Sequence, residues 1–240
     1  MNALLQVNQV NKHFGGLHVL KNFSMQLNKG EIVGILGPNG AGKTTLFNLL
    51  TGFIPIDTGE VLLHSQPIHH LKAHKIVALG MARTFQLCRP FAGLTVLENV
   101  LVGSLGPRVH SPDLGERAMH LLSQVGLIDK AQQACELLSY GDLRRLEIAR
   151  ALATQPEILL LDEPTASLDA CRTEIFYEII HELTQKGNII LLSTHDLSYV
   201  KKCQRLLLLK NGKLLSDGKP QQLLNAEIIS AIWGFSSNLV

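Results

Sequence analysis

Residues 31–50 read EIVGILGPNGAGKTTLFNLL. Glu31 to Leu36 is a strand-type apolar run, and Leu46, Leu49 and Leu50 recur on one face of a helix beyond it. Between the two stands Gly37-Pro38-Asn39-Gly40-Ala41-Gly42-Lys43-Thr44, a G-x-x-x-x-G-K-T phosphate loop in the strand–loop–helix setting that the motif requires. Its glycines let successive backbone N–H groups turn inward as an anion nest, and the helix N-terminus adds partial positive charge. Lys43 is expected to reach the β- and γ-phosphates of a nucleotide, Thr44 to ligate Mg2+, and Thr45 to cap the α-phosphate.

Composition bounds what can surround this loop. The 240 residues are 46 % hydrophobic and 18 % charged, enough for one large α/β domain or a core with a smaller lobe. A net charge of +2 without a long basic run lacks the footprint of a nucleic-acid binder. Cys88, Cys135, Cys171 and Cys203 are scattered, with no C-x-x-C pair, and read as reduced thiols of a cytosolic protein. The clustered histidines His64, His69, His70 and His74 lack convincing ligand spacing and read as a solvated polar face. No stretch approaches the roughly 20 apolar residues of a membrane span, and the N-terminus lacks a signal-peptide pattern. Any membrane role is expected to come through partner subunits.

Along the chain, strands are expected at Leu4–Val10, Phe23–Leu27, Glu31–Leu36 and Glu60–Leu63, with a short one at Ala82–Phe85. Helical patterning runs from Leu94 to Ala153, where Thr95 and Glu98 form a capping box and residues 106–115 a loop. Strands return in EILLL and NIILLS, separated by a helix from Ala170 to Lys186 that Gly187 closes. RLLLLKNGKLLSDG is a hairpin whose Asn211-Gly212 suits a type I′ turn. A short helical pair follows from Gln221.

Further polar groups fall at strand ends, where open α/β sheets hold their ligands. The run Ile158–Leu161 ends in Asp162, placed to hold Mg2+ through water, and Glu163 follows as a candidate general base. Pro164 is expected to keep Glu163 extended. Gln86 follows one predicted strand and His195 another. Phe14 either stacks on a nucleotide base, with Val19 beside it, or is a core aromatic.

In LLSYGDLRRLEIAR, residues 137–150, Ser139 sits at an N-cap position with Asp142 three residues on. Leu143, Leu146, Ala149 and Leu152 form the apolar stripe, with Arg144, Arg145 and Glu147 off it. Tyr140 and Gly141 are poor first-turn helix formers. Together with the Ser139 hydroxyl and free N–H groups, the Gly141 backbone offers a surface that could close over a γ-phosphate.

The phosphate loop, TFQ, LSYGD, LLLDEP, SLD and STHD, in that order over nearly all of the chain, resemble the nucleotide-binding subunit of an ABC transporter. The resemblance implies a P-loop NTPase (RecA-like) α/β core with an N-terminal antiparallel β subdomain and an inserted α-helical subdomain. It divides a single ATP-binding domain, 1–240, into core at 1–86 and 154–220, helical lobe at 87–153 and helical tail at 221–240. It further implies ATP and Mg2+ as ligands, the latter on Thr44, Gln86 and Asp162.

Two subunits then dimerise head to tail, with Ser139, Tyr140 and Gly141 acting on the partner's nucleotide. Asp169 belongs to the loop that communicates across the dimer, and also suits an N-cap. Gln86 couples the site to membrane permease subunits, and His195 contacts the γ-phosphate. Phe91 to Val100 is the expected permease dock. The second ATP-binding subunit is identical or paralogous, and a solute-binding protein is an indirect partner.

The usual signature is Leu-Ser-Gly-Gly-Gln; Tyr140 replaces its first Gly and Asp142 its Gln. YGD-RRLEIAR, ARTFQ and TQPEIL resemble the ATP-binding subunits of branched-chain amino-acid importers. That implies a peripheral ATPase on the cytoplasmic face of the inner membrane. The ATPase of lipopolysaccharide export shares part of the pattern, and a soluble ABC ATPase outside transport is the rival of another class.

Overall fold

The computed structural model describes residues 3–85, 88–165, 170–194 and 197–225. The sites expected at Gln86, Asp169 and His195, and most of the tail, lie outside the described residues. In chain order the elements are β1 (Leu5–Phe14), β2 (Leu17–Leu27), β3 (Ile32–Leu36), α1 (Lys43–Leu50), β4 (Thr58–Leu63), β5 (Gln66–Pro67) and α2 (Ala73–Ala78). Next come β6 (Met81–Arg83), α3 (Val96–Ser104), α4 (Leu114–Gln124), α5 (Tyr140–Ala153), β7 (Ile158–Asp162) and α6 (Ala170–Gln185). Last are β8 (Ile189–Ser193), α7 (Leu197–Val200), β9 (Arg205–Lys210), β10 (Lys213–Gly218) and α8 (Pro220–Leu223). No described helix is long and apolar enough to cross a membrane.

The chain packs as two compact units, one of residues 1–73 and 189–240, the other of residues 74–188. In the first, β2-β1-β4-β5 form an antiparallel sheet, and β10-β9-β3-β8 lie side by side in a second one. There β3 is parallel to both β8 and β9, and every residue of β3 and β8 is buried. That burial explains their unbroken apolar sequences, since a strand covered on both faces has no polar side to alternate with. Phe23 and Phe47 are fully enclosed, each contributing about 1.5–3 kcal/mol by leaving water.

The β1–β2 hairpin is longer than its hydrophobic alternation predicts. Register shifts between Val7 and Val10, between Val10 and Lys12 and between Lys12 and His13 break the period of two. Gln9, at φ +48°, lies in the first of them. The β9–β10 turn matches its sequence signal: Asn211 and Gly212 have φ of +50° and +77°, both left-handed as a type I′ turn demands. The short strand expected at 82–85 occupies Met81–Arg83 instead.

In the second unit β6 and β7 run parallel, and α3, α4 and α5 carry the helical region. The Thr95 box forms in full: Glu98 N–H donates to Thr95 Oγ1 at 3.1 Å and Thr95 N–H to Glu98 Oε2 at 2.7 Å. At α5 only half of the box forms. Asp142 N–H donates to Ser139 Oγ at 3.2 Å, while the Asp142 carboxylate turns instead to Lys130 Nζ (2.5 Å) and to the Arg145 guanidinium. Arg144 and Glu147, expected off the buried stripe, are 3 % and 8 % exposed. α5 is covered nearly all round, so its charged residues are paired inside rather than solvated.

Candidate functional site

The phosphate loop joins β3 to α1 within the first unit. Two positions admit no side chain: a Cβ on Gly37 would lie 2.3 Å from Leu209 O, and one on Gly42 would lie 2.8 Å from Leu20 Cδ2. Gly42 also has φ +106°, a left-handed backbone that caps α1 without a side chain. The β9–β10 turn braces the loop, Gly212 N–H donating to Ala41 O at 3.1 Å and its carbonyl accepting from Lys21 N–H at 2.8 Å. The sequence carries no sign of that support, because the hairpin signal speaks only of its own turn.

Lys43 is 7 % exposed and curls over its own loop, donating to Gly37 O at 2.7 Å and Pro38 O at 3.2 Å. A buried ammonium among carbonyls and the open N-terminus of α1 suits a polyanionic ligand. Thr44 and Asn39 are exposed and Thr45 half-buried. β2 brings Val19 to the loop, its carbonyl 3.2 Å from where a Gly42 Cβ would be. Phe14 ends β1 and is 48 % exposed, which excludes the core-aromatic alternative, and Lys12 Nζ lies 5.5 Å from its ring centroid. The carboxyl end of β8 lies beside that of β3, with Ile35 opposite Ser193.

The carboxylates belong to the second unit. Every residue of β7 is buried, and it ends in Asp162, 1 % exposed. Arg83, at the end of β6, sets its Nη2 at 3.7 Å from Asp162 Oδ2, both side chains nearly solvent-free. Burial draws the Arg83 guanidinium below its ordinary value, while the carboxylates of Asp162 and Glu147 oppose the shift. Sequence reasoning missed Arg83; the sign was an arginine inside the short strand MAR. Glu163 has φ +49° rather than the extended backbone that Pro164 was expected to impose. The chain must turn sharply where the buried strand ends, and this turn outweighs the local preference.

Ser139 and Tyr140 are exposed and Gly141 is buried at the first turn of α5. Tyr140 folds back on its own helix, its Oη accepting from Arg144 Nη2 at 3.0 Å. Within the expected dock, Phe91, Ala92, Gly93 and Glu98 are exposed, while Val96, Asn99 and Val100 are buried, so the exposed apolar surface lies at its leading end.

A hydroxyl on Thr44 and a carboxylate on Asp162 are hard oxygen donors of the kind Mg2+ prefers, and the Lys43 cradle matches phosphate. Taken one by one, these residue types suit magnesium and phosphate.

The family model described as "ABC transporter" matches residues 20–166. The chain is 40 % identical to the high-affinity branched-chain amino acid transport ATP-binding protein LivG of Escherichia coli K12, covering 96 % of this chain and 98 % of that protein. Against BraF of Pseudomonas aeruginosa, described in the same words, identity is 36 % over the same shares. Among solved structures, the chain resembles a dimeric ATP-binding cassette in a post-hydrolysis state, bound to ADP and Pi. The TM-score is 0.82 at 28 % identity, over 90 % of this chain and 98 % of that one.

Proposed function

This chain belongs to the ABC transporter family, as an ATP-binding, ATP-hydrolysing subunit, and from that membership we propose that it powers the import of branched-chain amino acids. Its fold is that of an ABC ATPase cassette. Subunits of this family dimerise and work with membrane permease components. We place this one on the cytoplasmic face of the inner membrane, with a solute-binding protein as indirect partner. The observation that carries the solute assignment is the 40 % identity with LivG across almost the whole of both chains.

The reaction is in-line attack of water on the γ-phosphate, yielding ADP and phosphate, in which positioning and electrostatics do most of the catalysis. Lys43 exchanges its carbonyl partners for phosphate oxygens, and those charge-assisted bonds are the stronger ones. Glu163 accepts the proton of the attacking water. His195 orients that water and touches the γ-phosphate. Mg2+, when bound, neutralises charge on the phosphate oxygens, and Thr44, Gln86 and Asp162 are the residues that would hold it. Phe14 stacks on the adenine beside Val19. Ser139, Tyr140, Gly141 and Asp169 serve the nucleotide of the partner subunit.

Uptake of labelled leucine, by cells carrying the complete transporter with this subunit in wild-type or Glu163→Gln form, tests both parts. Wild-type cells are expected to accumulate leucine. The variant should lose uptake and, when purified, lose turnover by about two orders of magnitude or more. Full turnover in the variant removes Glu163 as base. An active wild-type transporter that ignores leucine, isoleucine and valine overturns the solute.

A further inference from the structure

Three charged side chains of α5 are aimed at one stretch of backbone. Glu147 Oε1 accepts from Phe85 N–H at 2.5 Å, and Cys88 Sγ donates to Glu147 Oε2 at 3.3 Å. Arg144 Nη1 donates to Phe85 O at 2.6 Å and lies 3.4 Å from Glu147 Oε2. From the other side of its fork, Arg144 holds Tyr140 Oη and stands 5.4 Å from the centre of the Tyr140 ring. A turn further along, Arg150 donates to Arg89 O at 2.9 Å, with its guanidinium 4.4 Å from the Phe91 ring centroid. Phe85 and Cys88 flank residues 86–87, and Tyr140 stands in the signature turn.

We infer that Tyr140, Arg144 and Glu147 form a positioning relay that ties the signature turn to the chain on both sides of residues 86–87. Arg144 is the keystone, because a planar guanidinium spreads its donors over two nitrogens, Nη1 serving the Phe85 carbonyl and Glu147 and Nη2 the Tyr140 hydroxyl, a span that the single nitrogen of an ammonium does not cover. Such a link makes the first turn of α5 follow any displacement of Phe85 or Cys88. It also accounts for Tyr140, which departs from the usual signature glycine, because its hydroxyl forms the outer end of the relay. The inference rests on the roles proposed above for Gln86 and for residues 139–141. None of the three residues need touch the nucleotide bound by its own chain.

The test uses the purified full chain with Tyr140→Phe, Arg144→Lys, Glu147→Gln and Glu147→Ala. It reads kcat and KM for ATP, and ATP-dependent dimer formation by light scattering in a Glu163→Gln background. Glu147→Ala should lower kcat about tenfold with KM changed less than about twofold, because the phosphate loop is untouched. Dimer formation should weaken in step. Glu147→Gln keeps an acceptor for Phe85 N–H and should recover part of the loss. Tyr140→Phe combined with Glu147→Ala should cost little more than Glu147→Ala alone, as expected of residues in one chain of contacts.

Wild-type kcat and dimer formation in folded Glu147→Ala or Arg144→Lys protein would overturn the relay, as would fully additive losses. If Glu147→Ala does not fold, Tyr140→Phe and Arg144→Lys alone decide it. Full turnover with Glu163→Gln would indict the catalytic assignment instead, leaving these comparisons standing.

Discussion

Asp57 shows how much one surface carboxylate can be held by its neighbours. Lys12 Nζ lies at 2.7 Å from Oδ1, and His13 N–H donates to Oδ2 at 2.6 Å. Lys12 chiefly, then His13, hold the carboxyl down at about 2 against an ordinary 3.8. A depressed folded-state value stabilises the fold above the unfolded value and ceases to do so as pH falls through the folded one. The stabilisation is therefore expected to fade between 3.8 and about 2. Comparing urea midpoints of the wild type and Asp57→Asn checks this: the gap should be constant near neutrality and close across that window, whereas a pH-independent gap would show that the ion pair is not its source. At this scale the phosphate-loop glycines were legible in the sequence, because a fixed motif states its backbone needs. Glu163 was not, since the preference set by Pro164 is local and the turn at the end of β7 is tertiary.

Among the elements, α3 and α5 carry similar start signals with different outcomes. Both hydrogen bonds of the Thr95 box form, so Thr95→Ala should cost about 1 kcal/mol and lower the thermal midpoint by about 2–4 °C. Circular dichroism melts measure this, and an unchanged midpoint would mean that the Val96 N–H bond to Gln133 O already fixes the helix entry. At α5 the acidic residue is drawn away by Lys130, which precedes it by twelve positions, and no pattern confined to the helix announces that contact. The same blindness explains Arg144 and Glu147. A stripe of leucines shows which face must be buried but is silent on whether charged residues beside it are buried as a pair. β3, β7 and β8 were legible for the opposite reason, since a strand covered on both faces is apolar throughout. β1 is legible only to Val10 because its bulges interrupt the alternation that identifies a strand.

At the scale of the molecule, the phosphate loop can grip a triphosphate from one side, while Ser139 and Tyr140 present exposed surface at the start of a capped helix. An exposed first turn with a hydroxyl and a helix N-terminus is a surface on which an anion can dock, and a relative of known structure is dimeric and bound to ADP and Pi. If closure of each site requires the signature turn of a second subunit, turnover must depend on concentration. Specific activity per chain should be constant at high concentration and fall in proportion to concentration once the dimer dissociates, as mass action requires. Adding ATP to Glu163→Gln protein should raise the dimer fraction, because the variant keeps the phosphate grip and loses the step that releases it. Sedimentation velocity with and without ATP, beside a dilution series of ATPase rates, measures both. A species monomeric at every concentration, with undiminished activity per chain, would mean that one copy encloses its own nucleotide, and residues 139–141 would need another explanation.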